Sequence, residues 1–153
     1  TVEIPPAANS SSTSLSLTMP SNIPCVFQNI EGEILINYFQ TDIVCKVSSN
    51  ISIGSHEGNC SIEGRGENVE VESSIPENGY CFVNLNEGNI KLKIPSDESA
   101  MLIANTDDGA IFTSRISISD SVRVPNTLSG KLGNGSGQIN LSTGKGNISI
   151  EGF

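Results

Sequence analysis

Six times the chain writes Gly, one variable residue, and then Ile or a stand-in for it: EGEI from residue 31, EGNC from 57, EGNI from 87, DGAI from 108, SGQI from 136 and KGNI from 145. Glycine reaches φ > 0 without steric cost, so each motif predicts a tight turn, after which the first aliphatic residue points inward. Two copies extend to near-identical heptamers, GNCSIEG at 58–64 and GNISIEG at 146–152, which differ only where Cys60 stands in place of Ile148. The segments around the motifs, among them EILINYF, NISI, CSIEG, NVEVES, YCFVNLN, NIKLKIP, RISIS, SVRVP and QINLST, carry an apolar residue at nearly every second position. That is the period of a strand with one buried face. From about Cys25 onward no segment places apolar residues at i, i+3, i+4 and i+7, so no helix is expected. Recurrent strand-plus-turn units predict an all-β solenoid, a β-helix-like stack of short strands. The motifs start 9 to 30 residues apart, so some share a coil and others are separated by loops. A β-sandwich is the alternative, because short strands punctuated by turns also describe that architecture.

The chain of 153 residues suits one domain, taken as 21–153. Residues 1–20, with Pro5, Pro6 and a Ser-rich run, predict a tether or a loosely packed first strand. The formal net charge of -9 argues against nucleic acid and anionic membrane surfaces, which require clustered Lys and Arg. No apolar run is long enough to span a bilayer as a helix. The chain starts at Thr1 without a charged, apolar leader, which predicts a mature or trimmed chain, with a lipid or membrane tether upstream of Thr1 as one arrangement.

From 94 to 153 the order is a proline-terminated strand (IKLKIP), a polar turn, ANTDDGAI at 104–111, a variable loop, and a glycine-rich ending from Leu128 to Ile150 that holds Gly130, Gly133, Gly135, Gly137, Gly144 and Gly146. This order resembles the bacterial adhesin-like family of β-strand repeat domains, whose function is unknown. About 60 residues match well, 45–93 loosely, and 1–44 depart from the pattern. The resemblance implies a right-handed, β-helix-like stack in envelope proteins, often lipoproteins or fusions to membrane segments. The motif is one of turns and inward aliphatics and carries no chemistry.

Few residues suggest catalysis. GNGSGQ at 133–138 leads into a strand, whereas a phosphate loop needs a helix N-terminus behind its glycines. A calcium-binding β-roll needs Asp at fixed positions, and none follows Asp120. No cofactor or metal is expected. Asp107 and Asp108, with Asp97 and Glu98 near in sequence, form the densest acidic cluster. With Arg115 they would become weak surface-site candidates, for hydrolysis of a glycan or for a divalent cation, if they converged on one groove. TDDG is otherwise an ordinary solvated turn. His56, the single histidine, reads as a surface residue in the turn SHEG. Six N-x-S sequons, at Asn9, Asn50, Asn59, Asn134, Asn140 and Asn147, follow from the abundance of Asn and Ser. Lys91 and Lys93 on one strand and Glu70 and Glu72 on another face outward and could pair across strands.

Alternation turns Cys45, Cys60 and Cys81 toward the core and leaves Cys25 ambiguous. An even count without a CxxC motif fits disulfides in an oxidising, extracytoplasmic compartment. Cys25 and Cys45 are 20 residues apart and Cys60 and Cys81 are 21, about one coil each, which suggests bridges Cys25–Cys45 and Cys60–Cys81. Together these features predict a non-catalytic cell-envelope or surface module. Its polar face of Asn, Ser and Gln would bind a surface glycan or an envelope protein, or act as a spacer. The competing expectation is a polysaccharide-active enzyme on the same scaffold.

Overall fold

The computed structural model describes residues 20, 22–28, 33–48, 50–65 and 68–153; the expected tether lies almost wholly outside them. They form an all-β structure with no helix among the described residues. The strands are β1 (Cys25–Gln28), β2 (Ile34–Phe39), β3 (Ile43–Val47), β4 (Ile51–Glu57), β5 (Cys60–Gly64), β6 (Val69–Ser74) and β7 (Tyr80–Glu87). They continue as β8 (Ile90–Ile94), β9 (Ala100–Asp108), β10 (Ile111–Ser114), β11 (Ser119–Val124), β12 (Thr127–Lys131), β13 (Gly137–Lys145) and β14 (Ile148–Gly152).

Up to β10 successive strands alternate between two sheets. The larger sheet runs β1-β3-β5-β7-β13-β9-β12-β11 and the smaller β10-β14-β8-β6-β4-β2. All pairs are parallel except β9 with β12 and β12 with β11. The order is not that of the sequence. The chain steps from β8 to β9 past one strand position in each sheet, and β13 and β14 later fill both gaps. The last strand pair therefore lies inside the assembly, in register with neighbours on both sides.

The Gly-x-Ile motif explains this register. Ahead of the smaller sheet's strands, the Asn68 N–H donates to Asn50 Oδ1, Asn89 N–H to Asn68 Oδ1, Asn147 N–H to Asn89 Oδ1, and Ala110 N–H to Asn147 Oδ1, each at 2.9–3.0 Å. The ladder ends at Ala110, whose methyl group offers no acceptor and whose following strand, β10, lies at the sheet edge. A shorter one precedes the larger sheet, where Asn59 N–H donates to Asp42 Oδ1 and Tyr80 N–H to Asn59 Oδ1. The two heptamers thus perform one local task on opposite sheets, Cys60 opening β5 and Ile148 opening β14.

Behind the ladders, inward residues form continuous rows. Ile34, Ile51, Val69, Ile90, Ile148 and Ile111 align in the smaller sheet, and Ile43, Cys60, Cys81, Ile139 and Leu102 in the larger. All are buried in one hydrophobic cluster that draws on both sheets.

Two expectations fail locally. RISIS, read as a strand, is a connection from Arg115 to Ile118 followed by the start of β11. Arg115 and Asp120, at φ 56 and φ 50, leave the extended region, while Ile116 and Ile118 pack half-buried against the core. SVRVP lies in β11, an edge strand exposed along its whole length, so its alternation marks no buried face.

Candidate functional site

The outer face of the larger sheet carries the most distinctive surface. In β7 the inward residues are Cys81, Val83 and Leu85, so Tyr80, Phe82 and Asn84 point outward. In β13 the outward set is Gln138, Asn140 and Ser142, and in β9 it is Met101, Ile103 and Asn105. Register aligns these nine side chains into three rows: Tyr80–Gln138–Met101, Phe82–Asn140–Ile103 and Asn84–Ser142–Asn105. The Tyr80 and Phe82 rings stack with centroids 4.7 Å apart and planes 25° from parallel. Met101 and Ile103 are nearly half exposed.

None of the nine carries a charge. Charged neighbours lie at the perimeter, with Lys131 beside Met101 and Glu63 beside Asn84. Strands stand about 4.8 Å apart and same-face residues about 6.6 Å apart along a strand, so the nine occupy a flat field on the order of 10 by 13 Å. Amide side chains offer two donors and an acceptor each, and the rings and aliphatics offer apolar surface between them. Such a field suits a neutral, hydroxyl-rich, planar ligand. It was legible in YCFVNLN, whose inward cysteine dictates that both aromatics face out, yet sequence reasoning singled out only the polar residues.

The weak surface-site candidates are not brought together. Asp107 and Asp108 end β9, whereas Arg115 follows β10, so a four-residue strand of about 13 Å separates them. The Arg115 guanidinium is bound to the Glu151 carboxylate. The Asp107 carbonyl accepts from Asn126 Nδ2 at 2.9 Å, and Asp108 sits opposite Lys145. Glu98 is also committed, accepting from the backbone N–H groups of Ile75 and Ser99. Among the described residues no group of three or more His, Cys, Asp or Glu could hold a metal ion. A separate cleft of about 370 Å³ is lined by Ala110, Ile111, Arg123, Val124, Pro125 and Thr127. There the Arg123 guanidinium donates to the Ile111 carbonyl oxygen at 3.2 Å and caps β10.

His56 corrects the sequence reading. It is 1% exposed, not a surface turn residue. Ser55 adopts φ 51 and inserts an extra residue in β4 relative to β6, which shifts the inward phase from 51 and 53 to 56. Tyr38, at φ 59, makes the same shift in β2 and turns Phe39 inward beside His56. Nε2–H donates to the Thr41 carbonyl at 2.8 Å, and Nδ1 accepts from Ser73 Oγ at 2.8 Å. Burial lowers the His56 pKa below 6.5, only partly opposed by the Thr41 carbonyl and by Asp42 and Glu57. The ring is a neutral packing element.

Cys45, Cys60 and Cys81 are free thiols in this structure. Cys45, Cys60 and Cys81 are fully buried, while Cys25 is half-buried at the edge of the core. Burial pushes the Cys45 thiol up to about 12. Cys60 is also raised, first by a hydrogen bond with Cys81 and then by burial. Cys25, Cys45 and Cys60 thus lack the lowered pKa of a reactive nucleophile. Register sets Cys60 opposite Cys81, but Cys25 opposite Ile43, so Cys45 faces Phe27 and not Cys25. The expected Cys25–Cys45 pairing is therefore out of register by two residues.

On the smaller sheet, Glu70 accepts from Lys91 at 3.1 Å and from Lys93 at 3.0 Å, and these outward pairs neutralise that face. No family model matches the chain, and no curated protein or solved structure matches it.

Proposed function

We propose that this protein is a non-catalytic surface module that binds a neutral glycan on the outer face of its larger sheet. The observation that carries this reading is the uncharged field of Tyr80, Phe82, Gln138, Asn140, Met101 and Ile103, held flat on three central parallel strands. Aromatic faces pack against the C–H faces of sugar rings, and the amides exchange hydrogen bonds with hydroxyls. A site on paired strands is already ordered, which lowers the entropic cost of binding.

The alternation of strands between two parallel sheets supports reading the chain as a solenoid. Parallel strands in one sheet joined through a crossover are overwhelmingly right-handed, and this favours a right-handed stack. A place outside the cytoplasm, in the envelope or on the cell surface, rests on the resemblance of residues 94–153 to the adhesin-like repeats. The test is binding of the folded protein to immobilised neutral polysaccharides, with Phe82→Ala as the variant. Binding that weakens at least about tenfold, with circular dichroism unchanged, supports the proposal; binding indifferent to Phe82 contradicts it.

A further inference from the structure

Four cysteines allow three pairings, and the strand register discriminates among them. Cys60 and Cys81 are direct partners on β5 and β7. In-register strands stand about 4.8 Å apart, inside the Cα separation that a disulfide spans. Cys45 lies opposite Ile62 and Cys60 opposite Ile43, so Cys45 and Cys60 are two residues out of register. Cys25 and Cys45 have the same offset. A two-residue offset along neighbouring strands corresponds to about 8 Å between Cα atoms, beyond the roughly 7 Å that a disulfide tolerates. The flanking inward neighbour of Cys81 on its other side is Ile139, which offers no competing sulfur.

We propose that Cys60 and Cys81 form a cross-strand disulfide when the chain folds in an oxidising compartment. Two S–H bonds break and one S–S bond forms. The S–S bond of the oxidant, a small-molecule or protein disulfide, breaks in exchange, and its two sulfurs take up the two electrons and two protons as thiols. Both sulfurs are fully buried in the folded state, so the bond forms while β5 and β7 are pairing. It would tie together two central strands and enclose β6 in a covalent loop.

The test is to refold the reduced protein in glutathione disulfide, block remaining thiols with an alkylating agent, and map peptides without reduction. The expected result is a link between the peptides holding Cys60 and Cys81. The link persists in Cys45→Ala and disappears in Cys81→Ala. Its urea midpoint lies above that of the same protein treated with dithiothreitol. A Cys45–Cys60 link, or folded protein in which Cys60 and Cys81 are both alkylatable, overturns the proposal.

Discussion

His56 on β4 holds Ser73 on the neighbouring strand, its Nδ1 accepting from Ser73 Oγ at 2.8 Å beneath the surface of the smaller sheet. The contact exists because Ser55 shifts the strand's phase, and the burial that goes with it favours the neutral imidazole. In the unfolded chain His56 takes up a proton near pH 6.5, whereas in the folded chain it does so only at lower pH. The unfolded state therefore binds more protons in that window, and stability falls as pH drops below about 6.5. Urea unfolding at a series of pH values should show this slope, and His56→Gln should flatten it. Ser73→Ala, which leaves Nδ1 without its donor, should cost about 1–3 kcal/mol at neutral pH.

The turn columns make a second prediction. Gly146 sits at φ 136, and a Cβ there would lie 2.2 Å from the Gly88 carbonyl oxygen. Gly146→Ala should therefore destabilise by more than about 1 kcal/mol, through backbone strain and steric conflict together. Asn89→Ala, which removes the acceptor for the Asn147 N–H, should cost about 0.5–1.5 kcal/mol. Asn140→Ala on the outer face should leave stability within about 0.5 kcal/mol of the wild type. Chemical denaturation of the three variants separates turn from surface.

Much of the fold was readable from period and turn chemistry. The inward set Cys60, Ile62, Cys81, Val83, Leu85, Ile148 and Ile150 follows from strict alternation, because these strands run without a phase shift. His56 did not follow, since the left-handed Ser55, two pleats into β4, reverses the faces, and the adjacent Gly54 is the one local sign of a bulge there. The strand order was also hidden. KGNI and EGNI look alike, and nothing local states that β14 lies between β8 and β10. The uncharged field was half legible: alternation turns Tyr80 and Phe82 outward, but their company with Gln138 and Met101 depends on that non-sequential order.

That order predicts an unusual sensitivity to truncation. Deleting residues 146–153 removes β14, which pairs with β8 on one side and β10 on the other. The truncated chain should lose its cooperative unfolding transition rather than merely fray. In the intact protein, amides of β13 should be among the slowest to exchange, and those of the edge strand β11 among the fastest. Hydrogen exchange read by mass spectrometry checks both.

The outward ion pairs should matter little. Glu70 is held below its usual pKa by hydrogen bonds from Lys93 and Lys91, so its contribution is present above pH 4.5 and lost as pH falls. Its side chain is 43% exposed, and water screens the pairs. Glu70→Gln should cost no more than about 1 kcal/mol, and the difference should shrink in high salt.

The proposed glycan-binding face is tested most directly by recording amide chemical shifts while a soluble neutral oligosaccharide, taken from a polysaccharide that the protein retains, is titrated in. Binding on the larger sheet predicts saturable shifts centred on Tyr80, Phe82, Gln138, Asn140, Met101 and Ile103, abolished in Phe82→Ala while the remaining spectrum is preserved. Retention of no neutral polysaccharide, or shifts centred on the Arg123 cleft or the smaller sheet, would contradict it.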